Sequence, residues 1–179
     1  MQSLLVTGYK AHELGVFSEK HVGISWIKKT LEKRIRSYVE EGLEWVVTSG
    51  QTGVEQWAID VVISMRESEY PELRLAVLPP FEQQEANWKD ETKALYIERL
   101  AKADFVQCIS KRPYENPNQL KQKNEYLVQK TDAMLVLYDD LMEGSPLFYI
   151  RAAQVQNKPI VFISPDEVEE IGREEENEF

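Results

Sequence analysis

The sequence predicts an α/β fold in three layers, a mostly parallel sheet flanked by helices, and two observations predict it. Short runs rich in Val, Ile, Leu and aromatics alternate with segments of helical periodicity along the chain. Those runs are nearly continuously apolar, as expected for strands buried on both faces and joined by right-handed crossover helices.

The first strand is expected over Ser3 to Thr7, followed by Thr7-Gly8-Tyr9-Lys10. There Gly8 permits a tight turn, and Lys10 offers a point charge to a phosphate. His12 and His21 flank this loop without a matching carboxylate and third ligand, so no metal site is assigned. A helix over Ile24 to Glu41 leads to a second strand at Trp45 to Thr48 and then to Ser49-Gly50-Gln51-Thr52-Gly53-Val54-Glu55-Gln56-Trp57. Val54, Trp57, Ala58, Val61, Val62 and Met65 recur at helical spacing, so the helix runs from Val54 to Glu69.

The third strand, Leu73 to Leu78, is stopped by Pro79-Pro80, and a helix over Lys89 to Ala103 precedes a fourth strand at Phe105 to Ile109. Asn116-Pro117 introduces a helix over Asn118 to Lys130, and the fifth strand follows at Ala133 to Tyr138. Ser145 is expected to cap a helix reaching Gln156, with Pro146 at its first position. Lys158-Pro159 then opens the last strand, Ile160 to Ile163. Residues 1–164 are expected to form one domain, with 165–179 an acidic tail. A chain of 179 residues buries roughly 70% of its unfolded surface, enough for one substantial core.

Parallel sheets bind ligands at the carboxyl ends of their strands, which makes the loops after these strands the expected site. Gly50 and Gly53 allow positive φ and close backbone approach, leaving helix N–H groups free to face an anion. The turn therefore reads as a phosphate cradle, with the Glu55 carboxylate facing a ribose hydroxyl, a water or a neighbouring N–H. Gly144-Ser145 forms a second such helix start. Between these loops, Arg112 offers a planar fork for phosphate, Tyr114 a stacking ring, and Asn124 a group aimed at the sheet edge while its lysine neighbours stay solvated. The expected ligand-binding set is Gly8, Tyr9, Lys10, Ser49, Gly50, Gln51, Thr52, Gly53, Glu55, Arg112, Asn124, Tyr138, Gly144 and Ser145. Gly53→Asp is expected to abolish binding without unfolding the chain. Glu55 and Glu143 are weak candidates for acid or base work, since no nucleophile elbow, Walker loop or zinc-protease motif is present. Trp26, Trp45 and Trp57 are expected in the core, and Trp88 at the ligand edge.

Charge and composition narrow the function classes. The net charge is −10. Eight acids against Arg173 in the last fifteen residues account for −7 of it, so the end is expected to be solvated or frayed. The body, at −3, shows no basic stripe, and nucleic acid is not an expected partner. No apolar run approaches the roughly 20 residues of a membrane span, and no signal segment is evident, so the expected location is the cytoplasm. The one cysteine, Cys108, is expected to be a buried, inert thiol.

The segments around Val6 to Lys10, Trp45 to Trp57, Lys111-Arg112-Pro113-Tyr114-Glu115, Lys121-Gln122-Lys123-Asn124 and Glu143-Gly144-Ser145-Pro146 resemble the YpsA family over nearly the whole chain. That family is a Rossmann-like branch of the SLOG superfamily, which also includes DprA and the LOG proteins. The resemblance implies a nucleotide ligand such as ADP-ribose or NAD, with Gly53 and Glu55 as functional positions. It further implies a cytoplasmic regulatory role in cell division and stress, a protein partner in division, and pairing as a homodimer. The catalytic glutamate segment of LOG-type phosphoribohydrolases has no counterpart at Gly144 to Tyr149. Three readings follow: a nucleotide-binding regulator, a hydrolase of N-glycosidic or phosphate-ester bonds in a nucleotide, and an interaction module with a vestigial pocket.

Overall fold

A computed structural model describes residues 1–177. Six strands, β1 (Ser3–Gly8), β2 (Trp45–Thr48), β3 (Arg74–Val77), β4 (Phe105–Val106), β5 (Ala133–Leu137) and β6 (Ile160–Ile163), form one sheet in the order β4-β3-β2-β1-β5-β6. All neighbours pair in parallel. The α/β fold in three layers is therefore as expected, with every strand parallel.

Among the described residues six α-helices connect and follow them: α1 (Val22–Glu40), α2 (Val54–Ser68), α3 (Asp90–Ala101), α4 (Asn118–Lys130), α5 (Pro146–Val155) and α6 (Pro165–Asn177). The chain steps outward from β1 to β4, then returns across the sheet to β5. Right-handed crossovers put α1, α2 and α3 on one face and α4 and α5 on the other. Leu4, Leu5, Val6, Val46, Leu75, Leu135 and Val136, on the inner strands, are fully buried, as strands covered on both sides must be.

Four expectations need correction. The fourth strand is two residues long with both side chains exposed, because β4 is the sheet edge and has a neighbour on one side only. Cys108 lies beyond it and is half-buried, its thiol pKa raised by burial and then by Glu82 and Glu85. Trp45 and Trp26 are half-buried rather than core residues, whereas Trp57 is enclosed. Trp45 lies under the Arg74 guanidinium, 5.6 Å from its ring centroid.

The fourth correction concerns the acidic end. Through Asn177 it is helix α6, packed along α1 with Ile171 and Gly172 buried. Gly172 sits so close to the Trp26 indole that a Cβ there would come within 2.1 Å of it. Arg34 of α1 binds Glu167 through two hydrogen bonds of 2.8 and 2.9 Å. The remaining tail acid, Glu178, and Phe179 lie outside the described residues.

Candidate functional site

Connectivity reverses between β1 and β5, which lie side by side, so the crevice beyond their carboxyl ends is the topological switch point where such sheets take ligands. The loops after β1, β2 and β5 meet there.

The glycine turn after β2 has the backbone the sequence predicts. Gly50 and Gly53 have φ of 79° and 92°, a region that favours glycine. Gly53 is also a point of contact. A Cβ on it would lie 2.4 Å from the Tyr9 carbonyl oxygen and 2.5 Å from the Ala11 nitrogen. Gly53→Asp therefore forces backbone apart and cannot separate binding from folding, contrary to the expectation. Gly8 likewise serves close packing, its missing Cβ making room for Val54 at 2.8 Å.

The anion at this turn is the chain's own. Glu55, buried at the start of α2, accepts hydrogen bonds from Ser49 N (3.1 Å), Ser49 Oγ (2.5 Å), Gln51 N (3.1 Å) and Thr7 Oγ1 (2.8 Å). Three of these donors reach Oε1 and one reaches Oε2, so the carboxylate is held mainly through one oxygen. Of its three expected partners, Glu55 takes a neighbouring N–H. The turn's carbonyls are held as well: Gln56 Nε2 donates to Gly50 O at 3.0 Å, and Gln84 Nε2 to Ser49 O at 2.9 Å. Arg99 on α3 fixes Gln56 from behind at 2.7 Å and chelates Asp60 with two bonds of 2.8 Å.

The second glycine-led helix start is also filled. Glu13, in a short 3-10 turn after β1, accepts from Ser145 N (2.8 Å), Ser145 Oγ (2.6 Å) and Lys10 N (2.8 Å). Burial works to raise its pKa, but these bonds and the Lys10 charge outweigh it and hold the carboxyl below the ordinary range. Ser145 is at the capping position, yet its hydroxyl serves Glu13 and makes no cap bond to its own helix. Pro146 occupies the first turn as expected. Tyr9 closes the floor, its ring stacked on Tyr138 at 5.6 Å, and its hydroxyl donates to the Met142 carbonyl at 2.6 Å and accepts from Asp139 N at 2.8 Å.

Behind these turns a buried polar pair joins the two helices that cover one face of the sheet. Lys123 of α4, 7% exposed, donates from Nζ to Tyr149 OH of α5 at 2.7 Å. Burial lowers the Lys123 pKa to about 8, with Glu55 opposing and the Lys10 charge adding to the fall. The Tyr149 hydroxyl is pushed well above its ordinary value by burial and by Glu55. Two buried side-chain atoms among the described residues lack a hydrogen-bond partner, Thr48 Oγ1 at the end of β2 and Asn124 Oδ1 beside Lys123.

Most of the expected residues thus gather at one edge, and two differ from the rest. Arg112 is exposed and pairs with Glu115 at 3.5 Å, in a loop that β4 starts on the far side of the sheet. Thr52 is half-buried, its N–H turned to the Gln51 side chain at 2.9 Å, and opens onto a groove of about 420 Å³. Gly53, His12, Trp57 and Trp88 line that groove, which places Trp88 beside the glycine turn. His21 caps α1 through Nδ1, 3.0 Å from Gly23 N. Glu143 is exposed.

Sequence reading missed Glu13, Lys123, Tyr149, Gln84 and Arg99. Lys123 had a usable signal, since Gln119, Lys123 and Leu127 fall four apart on one helix stripe and all three are buried. Glu13 had none, because its partner Ser145 is 132 residues away.

The family model described as the YspA SLOG family (YpsA) matches residues 4–168. The chain belongs to that family. As a YpsA-family protein it is 61% identical over 176 residues to a UPF0398 protein of Shouchella clausii, covering 98% of this chain and 94% of the relative. It is 49% identical to a UPF0398 protein of Halalkalibacterium halodurans, at 98% and 95% coverage, and 44% identical to one of Bacillus velezensis, at 98% and 98%. Among the described residues, no helix of this family member is long and apolar enough to cross a membrane.

Proposed function

We propose that this YpsA-family chain is a cytoplasmic nucleotide-binding regulator whose ligand sets an anionic group over the switch between β1 and β5. The observation that carries this reading is the cradle around Glu13. Three donors from two loops 132 residues apart already converge on a carboxylate at the N-terminus of α5. A phosphate offers the same acceptor geometry with more charge, and both the helix dipole and the Lys10 side chain favour it. Binding displaces Glu13, and the neighbouring groove gives a nucleoside room beside Trp88. A ligand of the ADP-ribose or NAD class combines both parts, and the role in division and stress follows the family resemblance.

Simple binding is favoured over hydrolysis because Glu55 is buried and engaged by four donors, and Glu143 faces solvent. The test is thermal unfolding against NAD, ADP-ribose, AMP, ATP, GTP and cyclic nucleotides, with Lys10→Ala alongside. Ligand at about 100 times its Kd adds about 2.7 kcal/mol. A selective shift that weakens in Lys10→Ala is the expected result, and a flat panel leaves the interaction module as the function.

A further inference from the structure

Helices α4 and α5 lie side by side, and their outward sides enclose a trench of about 1180 Å³. Its walls are apolar, from Leu120, Tyr126, Phe148 and Val155, with Phe148 62% and Val155 83% exposed. Apolar side chains gathered along one concavity and rimmed by polar groups suit a docked partner. The trench is also braced. Gln156 Nε2 donates to the Glu125 carbonyl at 3.0 Å, and the Lys123–Tyr149 bond ties the same two helices from below.

Charge decides what fits. The chain carries −10, yet the trench holds two cations, Lys121 and Arg151, against one acid, Glu125. Neither cation forms a salt bridge among the described residues. Lys130 adds a third positive group at one end, 5.6 Å from the Tyr126 ring centroid. We infer that the trench docks an acidic amphipathic helix of a partner protein. The partner's apolar side chains at i, i+3 or i+4, and i+7 enter between the helices, and its carboxylates meet Lys121 and Arg151. The 13 residues of α4 extend about 20 Å, which sets the partner at three to four turns. A second copy seated trench to trench fits less well, because it sets Lys121 and Arg151 against their like-charged counterparts. A bilayer fits less well because it is flat and the trench is concave.

Fluorescence anisotropy with a labelled synthetic helix of about four turns, Leu on one face and Glu flanking it, tests the inference against the same helix with Lys in place of Glu. The Glu helix should bind the full chain about tenfold tighter or better than the Lys helix. Val155→Asp should abolish that binding, and Lys121→Glu with Arg151→Glu should reverse the preference. All three side chains face outward, so an unchanged Tm shows that the variants are folded. Absence of binding, equal binding of the two helices, a dimer that Val155→Asp dissolves, or capture by phosphatidylserine vesicles that Val155→Asp abolishes each overturns it. These variants leave Lys10 and Glu13 intact, so failure here and failure of the nucleotide reading are read separately.

Discussion

An ammonium closed off from water is charged only at a cost, and Lys123 shows how that cost enters stability. Its pKa is lowered by burial from 10.5 to about 8. Below pH 8 it is protonated in both folded and unfolded chains, and the penalty is present in full. Between about 8 and 10.5 the unfolded chain holds the proton that the folded chain has released, so this group makes stability rise with pH. From pH 8 to 9.5 the gain is about 2 kcal/mol. Urea midpoints should show that rise for the wild type relative to Lys123→Met, which has nothing to titrate there. Parallel curves for the two proteins would refute it. Asn124 was the residue expected to turn inward on this helix. Its Oδ1 is indeed buried, without a partner, and Lys121 is exposed, but Lys123, expected to stay solvated, is buried as well, because it shares a stripe with Gln119 and Leu127.

Two helix starts with glycine beside them meet at one sheet edge, and each holds a carboxylate of the chain. At α2 the carboxylate is local, from Glu55, and rigidifies the turn. At α5 it is Glu13, which reaches across from the segment after β1. The second is the removable one, since its side chain is half-buried and its turn is short. Glu13→Ala frees the Ser145 and Lys10 N–H groups for an anion from solution. Sulfate should then raise the Tm of Glu13→Ala above a chloride control of equal ionic strength, and by more than it raises the wild type. An equal response would show that the cradle takes only its own carboxylate. Helix and strand periods located both starts to within a residue or two, because Val54, Trp57 and Val61, or Tyr149, Ile150 and Ala153, carry that information locally. The carboxylates were illegible as partners at α5, because a bond between Glu13 and Ser145 leaves no trace in either neighbourhood.

The whole molecule distributes its charge unevenly, and the acidic end bears on stability as well as on solubility. Helix α6 covers Trp26 and supplies Glu167 to Arg34. A chain ending at Ser164 uncovers that face, losing the buried Ile171 and its neighbours, and should be less stable by about 3 kcal/mol in urea unfolding. An unchanged midpoint would instead make residues 1–164 a complete folding unit. The sequence by itself determined the alternation of strands and helices, the parallel sheet, the glycine turns and the edge where the loops gather. Each depends on residues a few positions apart, through backbone φ preferences and the periods of buried side chains. Tertiary structure alone decided that β4 would be a short exposed edge and that α6 would pack on α1. It also decided that Glu13 would fill the α5 start and that Lys123 would be buried against Tyr149. Those outcomes depend on contacts between distant segments, where burial and desolvation are set by what lies opposite.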